Sequence, residues 1–305
     1  MSQYVLRRLA HSVLVTLAVV ALVFVAGRLI GDPAQLMLPL DARPEQFELL
    51  RQSLGLDQPI LVQFWEFLKG AFRGDFGDSF WQKTPALDLA LERLPKTLYL
   101  AAVTIGIAFP VAVVLGAIAA LWPGSFIDRA INIVSLGGVS VVDFWLGLIL
   151  ILVVSVQFGL LPTSGYGDVR YAILPALTLL FRPLGRIAQI ARSSVLDELS
   201  KPYIKMARAK GLSETRILFR HGLRNAFIPI VTISGDETTS ILNGAVVVET
   251  VFAWPGVGLL LIQAIERRDL PLIEALVFLV AMMIIVANLI IDLSYASIDP
   301  RIRYS

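Results

Sequence analysis

Long apolar runs almost free of charge recur along this 305-residue chain, and they leave it few possible folds. A helix of about 20 apolar residues matches the roughly 30 Å of hydrocarbon in a bilayer. It also satisfies every backbone N–H and C=O internally, which hydrocarbon demands. Six such runs are read, at residues 9–26, 97–121, 131–156, 172–195, 227–248 and 272–295. Charged residues make up only 16% of the chain, against about 25% in a soluble domain. The fold expected is an all-α polytopic membrane protein with six transmembrane helices.

The cations set the orientation. Arg7, Arg8, Arg129, the basic stretch 200–225, Arg301 and Arg303 fall on one side of a six-span chain, and cytoplasmic loops carry the excess of Lys and Arg. Both termini are therefore expected in the cytoplasm. The first apolar run exceeds the roughly 7–15 residues of a signal-peptide core, so it is read as a span. The resulting division is an N-terminal transmembrane helix (1–30), an external segment (31–96, periplasmic in a cell with two membranes), a five-helix core (97–295) and a cytoplasmic tail (296–305). The segment 31–96 has helix-like pieces at 44–54 and 60–71. Its aromatics Trp65, Phe67, Phe72, Phe76, Phe80 and Trp81 form a small core or anchor at the interface.

Residues 200–225 (SKPYIKMARAKGLSETRILFRHGLRN) read as helix, glycine corner, helix. Pro202 suits a first helical turn and Gly211 a left-handed stop. Ser213 is placed to cap a second helix, with Glu214 at its positive end and Arg220 and Arg224 toward its negative end. Met206, Ala207, Leu212, Ile217, Leu218 and Phe219 are expected to make apolar contacts, while Lys201, Lys205, Arg208, Lys210 and Arg216 stay wet. This elbow either offers a knob to a soluble partner or is an ordinary loop made basic by the orientation rule.

Reactive chemistry is not legible. There is no cysteine, His11 and His221 are the only histidines, and no phosphate-binding loop G-x-x-x-x-G-K-[ST] occurs. No catalytic residue, metal site, nucleic-acid site or cofactor bound by this chain is expected. Acids inside the apolar runs are the exceptions: Asp143 in the third, Asp236 and Glu237 in the fifth, with Thr239 and Asn243 nearby. A charge at membrane depth is costly and faces a cavity or a partner. Three readings stand: a solute path lined by carboxylates, internal ion pairs with Arg182 or Arg186, or a register in which these residues sit at the interface. The spans' small residues Gly106, Gly116, Gly137, Gly138, Gly147 and Gly244 are read as packing positions.

The ordered motifs YVLRRL, GDPA, LGLDQPILVQFWEFL, RGDFGDSF, ERLPKTLYLA, FWLGLILIL, GLLPTSGYG, ARAKGL, HGLRNAFIPIV, GAVVVETVFAWPGVG and DPRIRY run the length of the chain. In them the chain resembles the permease subunits of the dipeptide/oligopeptide/nickel branch of bacterial ABC importers. That resemblance implies the type I permease fold and ATP-driven uptake of a small peptide or related solute. It also implies partners: a second homologous permease, two ATPase subunits using ATP and Mg, a periplasmic binding protein and the bilayer. The elbow corresponds to the family's EAA loop, with Ala207 and Gly211 on its second alanine and its glycine. Lys205, Ala207, Arg208, Ala209, Lys210, Gly211 and Leu212 are then the expected ATPase-coupling residues. Departures occur at Lys205 and Arg224, where the general motif has glutamate and proline. Val142-Asp143 and Gly235-Asp236-Glu237 also depart from the branch, and the added acids suit a cationic or amine-bearing solute. The alternative of another class is an ion- or proton-coupled secondary transporter working through Asp143, Asp236 and Glu237.

Overall fold

A computed structural model describes residues 13–25, 27, 43–53 and 55–298. Arg7, Arg8, the GDPA motif, Arg301 and Arg303 lie outside them. The described chain is helical: α1 (Val13–Val25), α2 (Pro44–Ser53) and α3 (Ile60–Arg73), then α4 (Ala86–Leu121) and α5 (Phe126–Ser140). There follow α6 (Asp143–Leu150), α7 (Val169–Leu199), α8 (Pro202–Ala209), α9 (Glu214–Ile217), α10 (Leu223–Val251), α11 (Val257–Glu266) and α12 (Leu270–Ile298). Wide i→i+5 turns extend α6 over Ile151–Gln157 and join α9 to α10 over Leu218–Gly222. The only extended pairing among the described residues is an isolated bridge between Asp78 and Pro85.

Helices α4, α7 and the Leu270–Ile291 part of α12 are long and apolar enough to cross a membrane, and α5 with α6 counts as a fourth crossing when taken as one bent span. The 29 residues of α10 are long enough, but Asp236, Glu237, Thr238, Thr239, Ser240 and Asn243 dilute its apolar character. The third run is not the single helix expected at 131–156. It breaks at Val141 and Val142, both extended, and its halves are bent by 105°. Two β-branched residues favour extended backbone. Asp143 then opens α6, where a carboxylate favours the positive helix end. The second run also differs. Its helix begins at Ala86, 11 residues before Thr97.

Two compact units emerge, one holding the described residues to Lys96 with Pro255–Val286, the other Thr97–Trp254 with the described residues from Ala287. In the first, Ala71, Phe76, Ala86, Ala90, Val257, Leu260, Leu272 and Leu276 form an apolar core. The aromatics of the polar segment divide between packed and exposed positions. Phe67 and Phe76 pack edge to face, 6.3 Å apart, whereas Trp65 and Phe72 are exposed. Arg267 lies 3.9 Å above the Trp81 ring. Asp269, fully buried before α12, accepts hydrogen bonds from Ser79 Oγ and from the backbone N–H groups of Phe80 and Trp81.

In the second unit α7 is the central strut, packed on α5, α6 and α10. The approach to α5 is close because it runs through glycine. A Cβ at Gly138 would stand 2.5 Å from the Phe181 carbonyl oxygen, and one at Gly185 2.3 Å from that of Ser135. Gly116 similarly lets α4 reach Ala188 and Ala191 on α7. Gly106 and Gly137, read as packing positions, meet open space instead.

Candidate functional site

The elbow forms as its sequence requires, with one exception. Pro202 occupies the first turn of α8. Gly211 takes φ 78°, where a side chain is strained but glycine is not. Ser213 precedes α9 in extended conformation yet makes no side-chain cap; its Oγ lies 3.4 Å from the Thr215 Oγ1. Glu214 is engaged by Arg208 instead, through Nε at 2.7 Å and Nη2 at 3.1 Å. The hydrogen bond and charge of Arg208 hold the Glu214 carboxyl below the ordinary glutamate range. This fork closes the corner between α8 and α9.

One face of the elbow is built into the transmembrane core. Ile204, Ala207, Ile217 and Leu218 are buried in one cluster with Ala117 of α4, Ile187 and Ala191 of α7, and Ala226 and Ile230 of α10. Leu212 packs against the same cluster. Tyr203 donates to Glu198 Oε2 (2.7 Å) and accepts from Asn225 Nδ2 (2.8 Å), joining the end of α7 to the start of α10. The other face is free: Lys205, Arg208, Ala209, Lys210 and Gly211 are exposed. Met206 and Phe219, expected to pack inward, are 62% and 61% exposed. They sit one residue off the helical face that carries Ile204, Ala207 and Leu218. A rigid body fixed on one side and carrying exposed apolar and basic groups on the other can pass force to a soluble partner.

Mid-chain charges form a second constellation. Asp143 and Glu237 are brought together with Arg182 around a cavity of about 10 Å³, also lined by Leu179, Pro183, Ser240 and Ile241. That is room for about one water molecule. Pro183 has no N–H to give the Leu179 carbonyl. Glu237 is buried, and its Oε1 lies 2.9 Å from Arg186 Nη1. The contact is one of charge, since neither carboxylate oxygen accepts an aligned hydrogen bond. Asp143 is half-buried, in contact with the position of Gly244. Asp236 and Asn243 are exposed and stand apart from this cavity. Thr239 donates to Asn288 Oδ1 at 2.9 Å. Of the readings of the intramembrane acids, the ion pair with Arg186 describes Glu237.

Three buried polar contacts escaped sequence reasoning. Asp128 binds Arg192 through both carboxylate oxygens. Glu249, in the last turn of α10, is fully buried and accepts from Thr97 Oγ1 at 2.6 Å. Asp269 is the third. Each joins residues far apart in the chain, so no local signal marks it. No cluster of three His, Asp or Glu suited to a metal occurs among the described residues.

A bundle of this kind, with a basic surface elbow fixed to its core, defines a transport subunit. The profile of binding-protein-dependent transport system inner membrane components matches residues 112–304, and that family's N-terminal profile matches residues 1–101. The chain belongs to this family, the inner-membrane permeases of ABC importers. It is 41% identical over 305 residues to the glutathione transport system permease protein GsiC of Escherichia coli (strain K12), covering all of both chains. The GsiC of Shigella dysenteriae serotype 1 (strain Sd197) matches to the same extent. A solved amino acid ABC transporter with histidines shares the fold. Its TM-score is 0.51 at 18% identity, over 70% of this chain and 94% of that one. The ion-coupled alternative gives way to this membership.

Proposed function

We propose that this chain forms one half of the path of an ATP-driven importer for a small peptide resembling glutathione, and that its elbow is the part an ATPase subunit grips. Both termini then lie in the cytoplasm, the segment 31–96 faces the periplasm, and a binding protein delivers solute there. ATP and Mg are used by two partner ATPases, and a second, homologous permease completes the path. The observation that carries the coupling role is the division of the elbow's two faces. Ile204, Ala207, Ile217 and Leu218 share a core with α4, α7 and α10, while Lys205, Met206, Lys210 and Phe219 remain outside. A displacement of the outer face must therefore move three long helices, as rigid-body switching requires. Asp143, Asp236, Thr239 and Asn243 line the path in this reading, with the buried Glu237 behind them. The substrate class rests on the relatives' transport of glutathione.

Affinity capture of the solubilised chain from its native membrane, wild type against Gly211→Arg, tests the coupling. Wild type is expected to retain ATPase subunits and a second permease, and the variant to lose the ATPases alone. ATP-dependent uptake of glutathione by the reconstituted importer tests the substrate class. A stable wild-type chain free of any ATPase overturns the reading.

A further inference from the structure

Arg182 and Arg186 pose a problem that the importer role does not by itself solve. They are four residues apart and share one face of α7. From Val169 they lie roughly 20 and 26 Å along the helix at 1.5 Å per residue, near the middle of a crossing. Arg182 is exposed and makes no hydrogen bond or ion pair among the described residues. The Arg186 side chain is 44% exposed, and one of its nitrogens faces Glu237. Exposed guanidinium groups at this depth cannot face lipid without a large cost, so they face water or a partner group. The acids beside them do not fill their bonding capacity. Glu237 is inside and contacts Arg186 by charge alone, and Asp143 shares a one-water cavity with Arg182. A guanidinium carries five N–H donors in a planar fork. Most of the donors on this face are therefore uncommitted, with the buried Glu237 carboxylate behind Arg186 and the half-buried Asp143 sharing a cavity with Arg182.

We infer that Arg182 and Arg186 form the receptor within the path for the C-terminal carboxylate of the transported peptide, with Glu237 as the residue that positions Arg186. This rests on the importer reading above. The fork matches a carboxylate bidentately, and such charge-assisted bonds are the strong ones. Glu237 places the Arg186 guanidinium without saturating it. Asp236, exposed on α10, supplies a negative charge for an ammonium group. The path is then selective for peptides with a free carboxylate, not for cationic solutes.

The test uses the complete importer with its binding protein in proteoliposomes. Uptake of glutathione is compared with that of its glycinamide, in which the terminal carboxylate is an amide. The acid-to-amide uptake ratio isolates the permease, because the same binding protein serves every variant. Arg182→Gln and Arg186→Gln are expected to reduce glutathione uptake roughly 10- to 100-fold, as loss of a charge-assisted bond does. Amide uptake should change little, so the ratio collapses. Arg182→Lys, which keeps charge but not the fork, should give an intermediate ratio. Should the Gln variants fail to assemble, the Lys variant supplies the reading. An unchanged ratio overturns the inference. So does loss of the second permease from Gln and Lys variants alike, which would make these arginines assembly contacts. Wild type that takes up neither probe overturns the peptide reading itself, and the receptor with it.

Discussion

Arg192 on α7 holds Asp128 at the start of α5 through a two-point contact, Nε to Oδ1 and Nη2 to Oδ2, the latter at 2.7 Å. The carboxylate is almost wholly buried and also accepts from Asn132 Nδ2 and the Gly124 N–H. It therefore fastens the turn after α4 to the helix that leads into the elbow. Arg192→Ala should cost about 2–3 kcal/mol, since the buried carboxylate keeps two other donors. Thermal unfolding of the purified chain in detergent measures this, and a variant as stable as wild type would discount the contact.

Adjacent glycines on α5 should behave oppositely. A Cβ at Gly138 meets the Phe181 carbonyl at 2.5 Å, while one at Gly137 meets nothing within 4 Å. Gly138→Ala is expected to destabilise the chain by about 1–3 kcal/mol through overpacking. Gly137→Ala should be neutral or stabilise by up to about 1 kcal/mol from helix propensity. Paired melting curves decide between them.

Within the elbow, Ile204 and Met206 separate stability from coupling. Ile204 is fully buried and Met206 mostly exposed. Ile204→Ala should lose about 2–4 kcal/mol of stability. Met206→Asp should leave melting within about 0.5 kcal/mol, as surface changes do, yet weaken capture of ATPase subunits. Equal retention of those subunits by wild type and Met206→Asp would remove Met206 from the interface.

Acid should loosen the corner. Arg208 lowers the Glu214 carboxyl below its ordinary value, which is about 4.3. A depressed carboxyl contributes stability that is fully present above the unfolded value and lost as pH falls through the lower folded one. Both side chains are about half exposed, so the contribution is less than about 1 kcal/mol. Hydrogen-exchange protection of residues 202–217, taken relative to the intrinsic rate at each pH, should be steady above about pH 5 and fall below it. Glu214→Gln should show the lower protection throughout, and wild-type protection in that variant would count against the fork.

Much of the architecture was legible because its causes are local. Pro202 and Gly211 mark the limits of α8 by their own backbone preferences, and the bases of the elbow stay wet because nothing apolar competes for them. The break at Val141–Val142 was less legible. Its residues are as apolar as the helices they separate, so hydropathy passes over it, and only their β-branching and the acid that follows give a sign. Met206 and Phe219 misled because apolar identity says nothing about which side of a short helix meets the core.

The sequence by itself determined a helical membrane protein of the importer permease family with a basic elbow, since bilayer thickness, backbone hydrogen bonding and ordered motifs all act along the chain. Tertiary structure alone decided which charges are paired. Asp128 with Arg192, Glu237 with Arg186, Glu249 with Thr97 and Asp269 with Ser79 are separated by 64, 51, 152 and 190 residues. A buried carboxylate needs a donor somewhere, but the bundle's packing chooses which one reaches it. Packing likewise left Arg182 and Arg186 with donors to spare.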